Sequence, residues 1–242
     1  MLAQELINAT SSIIGKAGSA FYFHPDTLAR GKELGLDGFR FYMLGRGGVL
    51  GDVESDVVAS AFGYFHRALV ARIWTTAKER FGAREAARNY MECCANLGRS
   101  TLATVEGLRE FCESAEAIMA AVNPAGLSLY AGVAAEPRVD DLPGRALQLV
   151  AVLRELRGSV HLLAVVASEL APEVAHAITR PDNVGTFGWD PAPEVTETDR
   201  AKLAAAEALT DRLLLGPYES LDAAAKAALL AGTQAIGTAL GV

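Results

Sequence analysis

The chain is short of long apolar runs, cysteine, histidine and positive charge, and each shortage closes off a class of function. Its most continuous apolar stretch, residues 160–167, is far shorter than a bilayer crossing needs. The first residues include Glu5 and have neither a basic leader nor a clean apolar run, so the expectation is a cytoplasmic protein without a signal peptide or a membrane partner. The cysteines are only Cys93, Cys94 and Cys112, and the first two are adjacent. That spacing puts them on different sides of a helix and suits neither a bridge nor a zinc site; it predicts small buried side chains in a reducing compartment. The net charge of −7 counts against a general nucleic-acid binder, whose affinity for phosphate rests on basic residues. What remains is 51% apolar and 21% charged, a balance that excludes disorder and supports one sizeable core.

Periodicity and punctuation predict an all-α protein, a multi-helix bundle. A helix over 2–16 is stopped by Gly18, and one over 25–34 opens on Pro25 and ends at Gly35. Residues 38–44 form a short segment in which Phe39, Arg40, Phe41 and Tyr42 also suit a strand. Val58, Phe62, Phe65, Leu69 and Ile73 recur as one helical stripe with Gly63 inside it as a point of bending or division. Helices over 83–97 and 102–122 follow, the second stopped by Asn123 and Pro124. Residues 127–135 are ambiguous and 136–144 read as a loop. Residues 145–170 form one helix or two joined near Gly158, and Pro172 opens a short helix to about 177. Pro181, Gly185, Gly188, Pro191 and Pro193 exclude regular helix, and Phe187 and Trp189 pack that stretch down. Thr196 opens a helix to 215, stopped by Gly216 and Pro217, and Ser220 caps the last, over 221–240. The expected organisation is a main helical domain, 1–178, a linker, 179–195, and a C-terminal helical hairpin, 196–242, packed on the main domain or in a homodimer.

Few residues are placed for chemistry. The run from Gly45 to Asp52 is rich in glycine, but it lacks the Lys-Ser/Thr ending of a phosphate loop and has no strand before it. It reads as a helix end and tight turn, with Asp52 capping the next helix and Arg46 free to grip a carboxylate or phosphate. Arg154, Arg157 and His161 fall at helical spacing and share a face, and His161 leads directly into the apolar 162–167. An imidazole held near two guanidiniums is pushed toward neutrality, which makes His161 the candidate base. Arg154, Arg157, Arg46 and His24 are the candidate ligand-binding residues. The competing account pairs the arginines with acids such as Glu155 or Asp141. His66 is one place off the stripe and His176 reads as a surface residue. No two histidines have the spacing of a helical metal pair, and no G-x-S-x-G elbow exists, so neither a metal nor a serine nucleophile is expected; the pattern names no cofactor.

The runs His24-Pro25 through Gly51, Ala61-Phe62-Gly63-Tyr64-Phe65 and Leu153 to His161 resemble an actinobacterial family of helix-turn-helix-like helical proteins with no assigned reaction. The likeness extends weakly to residues 208–213 and 217–221. It implies a winged-helix-like stretch between a Gly-Trp pair and a Thr-Asp helix. Here Gly188-Trp189 is followed by only twenty residues before Thr210-Asp211, so the C-terminal region is expected to be a shortened or degenerate version. Between them Arg200 and Lys202 face Asp190, Glu194, Glu197, Asp199 and Glu207, an acidic segment that repels phosphate.

These observations predict a protein that binds a small anionic or carbonyl-bearing molecule, as an enzyme of specialised metabolism or as a binder. The alternative is a ligand-sensing transcription regulator, or a relative of one that has lost DNA binding.

Overall fold

Proline and capping side chains start most of the helices where the sequence punctuates them. His24 Nδ1 accepts from the Asp26 amide, Asp37 from Arg40, Asp141 from Gly144, Thr196 from Asp199 and Asp222 from Ala225. The computed structural model describes all 242 residues, as twelve α-helices and no strand. In chain order they are α1 (Ala3–Ala17), α2 (Pro25–Glu33), α3 (Gly38–Gly47), α4 (Ser55–Phe62), α5 (Arg67–Lys78), α6 (Ala83–Thr101), α7 (Leu108–Ala121), α8 (Ser128–Ala134), α9 (Leu142–Ala167), α10 (Pro172–Thr179), α11 (Glu197–Glu219) and α12 (Ala223–Leu240).

The bundle is built around α9, which packs against α6, α11, α7, α1 and α8. Fourteen of its residues are buried, on nearly every side, as expected of a central helix. One contiguous cluster of 53 buried apolar residues forms the core, with Trp74, Tyr90, Phe21, Phe41 and Phe111 wholly inside it. The helix α12 lies against α7 and α1, while α11 lies against α9 and α1. Glycine brings these surfaces close: a Cβ at Gly232 would meet Phe111 at 2.6 Å, and one at Gly237 would meet Ile13 at 2.6 Å. α11 and α12 are both helices and no strand follows either, so the C-terminal region carries no wing.

Several boundaries differ from the sequence reading. The expected turn at 45–52 is helix as far as Gly47, then a 3-10 turn at Gly48–Leu50. Its glycines serve close approach: a Cβ at Gly45 would lie 2.6 Å from the Tyr90 ring, and one at Gly48 would run into the Ala83 carbonyl. Asp52 caps nothing and pairs with Lys78. The stripe 58–73 is split into α4 and α5 because Gly63 turns back at φ +71° where Leu162 presses against it. The segment 102–122 begins as helix only at Leu108, after Gly107 at φ +74°. The helix α9 is unbroken through Gly158. The helix α11 runs past Gly216 and Pro217, because a proline in the last turn forfeits only one backbone bond. Asp222, rather than Ser220, caps α12.

Candidate functional site

The opening with the most polar lining in the fold lies beside the place where the end of α1 packs on α9. At Gly18 a Cβ would stand 2.7 Å from the Arg154 Cβ and 2.9 Å from the Val150 carbonyl, so α1 and α9 are in contact there. One turn further along each helix, a Cβ at Gly15 or at Gly158 would meet nothing within 4 Å. The wedge between them is a cavity of about 500 Å³, walled on its other sides by residues of α3, α4, α10 and the chain around Phe187. That volume falls in the range of small-molecule sites.

Glu155 anchors one wall. It is 3% exposed and its oxygens accept from Arg46 Nε at 2.8 Å and Nη2 at 2.9 Å, from Arg154 Nη1 at 2.7 Å and from the Tyr22 hydroxyl at 2.7 Å. Burial pushes its carboxyl up, but the two guanidiniums and the bonds from Arg46 and Tyr22 outweigh that and hold it at about 2. Arg46 also donates to the Tyr42 hydroxyl at 3.1 Å and lies over the Phe62 ring at 4.4 Å. Arg154 lies over the Tyr22 ring at 4.9 Å and makes a single bond to Glu155, so most of its donors are uncommitted. Two cations against one carboxylate leave a net positive charge in this wall. Lys16 and Arg180, both exposed, add to it at the rim.

A second cluster links α9 to α11. Arg157 Nη2 donates to Glu207 at 2.8 Å, and Glu207 stands 3.6 Å from His161 Nε2. The Thr210 hydroxyl gives its proton to the Ala206 carbonyl at 2.7 Å and so accepts from His161 Nδ1 at 3.0 Å. A neutral ring held in this way carries its lone pair at Nε2. Burial lowers the His161 pKa and Arg157 lowers it further, with Glu207 opposing.

A third group of polar atoms has no partner at all. The Tyr64 hydroxyl, His176 Nε2 and Arg157 Nε are buried without a hydrogen bond, and all three residues line the cavity. His176 is 6% exposed and faces the Phe187 ring at 3.9 Å. Phe187 stacks in turn on Phe65 at 4.0 Å. The chain carrying Phe187 is strapped down by the Trp189 indole, which donates to the Tyr64 carbonyl at 2.8 Å, and by the His66 amide, which donates to the Phe187 carbonyl at 2.8 Å. Burial raises the Tyr64 hydroxyl pKa well above its ordinary value, so it remains a proton donor at neutral pH.

Arg46, Arg154, Arg157 and His161 therefore lie around one cavity, brought there from α3 and α9. His24 does not join them. It caps α2 and borders a separate polar groove with Arg30, Asn89 and Glu92. The arginines do meet acids, Glu155 and Glu207, whereas Asp141 caps α9 and pairs with Arg99. Tyr64 and His176 are not among the candidate site residues of the sequence reading; His176 is buried where a surface residue was expected, because Phe187 folds over it. The only hint was Phe187 and Trp189 amid prolines and glycines, which mark a strap that must cover something apolar. The cysteines are buried, and burial pushes the Cys93 and Cys112 thiols up to about 11. No three His, Cys, Asp or Glu side chains converge in a way that would hold a metal ion, and no helix is long and apolar enough to cross a membrane.

Fold and cavity together define an all-helical protein with a cation-walled cleft at its centre. A family model described as a helix-turn-helix family matches residues 8–194, and the chain belongs to that family. The match spans the cavity walls from α1 to the strap and stops short of α11 and α12. No curated protein and no solved structure matches the chain.

Proposed function

We propose that the chain binds a small anionic molecule in the cavity between α1 and α9. The observation that carries this reading is the charge around the opening: Lys16, Arg46, Arg154, Arg157 and Arg180 line it, and the only carboxylates among them are Glu155 and, behind Arg157, Glu207. Two partly buried guanidiniums sharing one carboxylate leave a positive charge that a second anion would balance. Arg154, with most of its donors uncommitted, is the residue that takes the anion, and Arg46 holds Glu155 in place beside it. The aromatic wall of Tyr42, Phe62, Phe65 and Phe187 suits a flat apolar body. If the bound molecule reacts, His161 Nε2 is the base, with Thr210 fixing its tautomer and Glu207 raising its affinity for the proton.

A thermal-shift comparison of benzoate with its neutral analogue benzamide tests the charge requirement. Benzoate raises the melting temperature by mass action, benzamide does not, and Arg154→Met abolishes the difference. Gly158→Leu, which fills the opening, abolishes it as well. Equal shifts from the two compounds would defeat the reading.

Family membership favours a second reading, a ligand-sensing regulator. The helices α5 and α6 meet across a four-residue turn that includes Gly82. Residues 67–88 carry Arg67, Arg72, Lys78, Arg80, Arg84 and Arg88 against Glu79 and Glu85, a basic stretch in an acidic protein. Gel-shift assays at low salt check it: DNA retarded by the wild type and released by Arg72→Glu with Arg88→Glu supports it, and no shift removes it.

A further inference from the structure

The first half of α11, residues 197–210, is tied to the body of the protein through side chains that also line the cavity. Arg157 Nη2 donates to Glu207 at 2.8 Å, His161 Nδ1 donates to Thr210 at 3.0 Å, and Glu207 lies 3.6 Å from His161 Nε2. Two further ties lie outside the cavity: Lys202 donates to the Glu169 carbonyl at 2.9 Å, and Gln4 donates to Asp211 at 3.1 Å. The apolar anchorage of this half is small. Leu203 and Ala206 sit in a cluster of six buried residues, three of them alanine, separate from the main core that Leu214 and Tyr218 of the second half join. A segment with so little buried apolar surface opens locally before the whole fold does.

The Arg157–Glu207 pair is within reach of a ligand, its side chains being 31% and 45% exposed. Glu207 offers the guanidinium the chemistry that a carboxylate ligand offers, and makes one bond where a planar fork can make two. An anion held by Arg154 stands beside Arg157, three residues along the same helix. From this overlap we propose that Glu207 is a built-in competitor for the cleft: an anion that reaches Arg157 displaces Glu207, so that occupancy releases the first half of α11 and clears His161 Nε2. This describes the regulation of the anion site and rests on that reading.

Titration calorimetry with benzoate and hydrogen exchange, both on the full chain, test the exchange of partners. Glu207→Gln removes the competing charge and raises the affinity for benzoate about threefold or more, the worth of a half-exposed ion pair. In an Arg157→Met background the same substitution changes the affinity by less than about 1.5-fold, which separates competition at Arg157 from a general gain in positive charge. Saturating benzoate speeds amide exchange in residues 197–210 of the wild type, and in Glu207→Gln these amides exchange faster before any ligand is added. An affinity that Glu207→Gln leaves unchanged or weakens, a gain that survives in Arg157→Met, or benzoate that fails to speed exchange at 197–210 would each overturn the inference while the anion site stood. Failure of benzoate to bind either the wild type or Glu207→Gln would remove both.

Discussion

Replacing Glu155 by Gln is the substitution whose outcome the structure fixes most tightly. The change keeps the shape and removes the charge that Arg46 and Arg154 share. Two estimates of the cost agree. The drop of the carboxyl from 4.5 to about 2 corresponds to roughly 3 kcal/mol of folded-state preference for the charged form. Breaking a buried ion pair from one side costs about 3–5 kcal/mol, because the surviving charge is left uncompensated. Against a typical total of about 5–15 kcal/mol this is a large share, and for a chain of this size it lowers the melting temperature by about 6–20 °C. The acid dependence follows in sign. The carboxyl's folded pKa lies below its unfolded value, so the stabilisation is complete above about 4.5 and is lost as the pH falls toward about 2. Chemical denaturation of wild type and variant between pH 3 and 7 measures both effects. The two curves draw closer as the pH falls toward 3, and added benzoate recovers more stability in the variant than in the wild type, since the variant holds two unbalanced guanidiniums. A loss below about 1 kcal/mol, or curves that stay parallel in acid, would show that water solvates the arginines and that no charged wall exists.

The remaining predictions use other parts of the same geometry. Gly158→Ala places a methyl group in open space on a helix, so it stabilises the unliganded fold by about 1 kcal/mol, or about 2–4 °C in melting temperature; a loss would mean the position is packed. Gly48→Ala drives a methyl group into the Ala83 carbonyl and costs about 1–3 kcal/mol in urea denaturation, whereas the same change at a free turn would cost almost nothing. Burial holds Cys93 and Cys112 at about 11 and raises Cys94 as well, so Ellman's reagent at pH 8 labels the thiols only after unfolding; rapid native labelling would contradict their placement. Trp189→Phe loses the bond to the Tyr64 carbonyl, loosening the strap and raising hydrogen exchange at 184–189 without changing the global melting temperature by more than about 3 °C.

The helical class was legible because α5, α6 and α7 carry clear apolar periods, and because Pro25, Pro172 and Thr196 announce helix starts. The candidate wall was legible for the same reason: Arg154, Arg157 and His161 share a face by spacing alone, whatever they touch. Contacts between distant segments were hidden. Glu155 was named as a pairing acid, yet nothing in the sequence brings Arg46 to it from 109 residues away. The glycines near residue 48 advertised a turn, since a sequence cannot show that another helix presses against them. Gly63 was visible as a break, but whether it bends or divides the helix depended on Leu162 lying against it. His176 was misplaced because its burial is supplied by Phe187, on a strap with no periodicity to give its direction away.

A crystal soaked with a brominated benzoate, its bromine located by anomalous scattering, tests the central claim most directly. The account places the bromine inside the cleft between α1 and α9, against Phe65 and Phe187, with the carboxylate on Arg154. Anomalous density confined to the outer surface, with the cleft holding solvent alone, would contradict it.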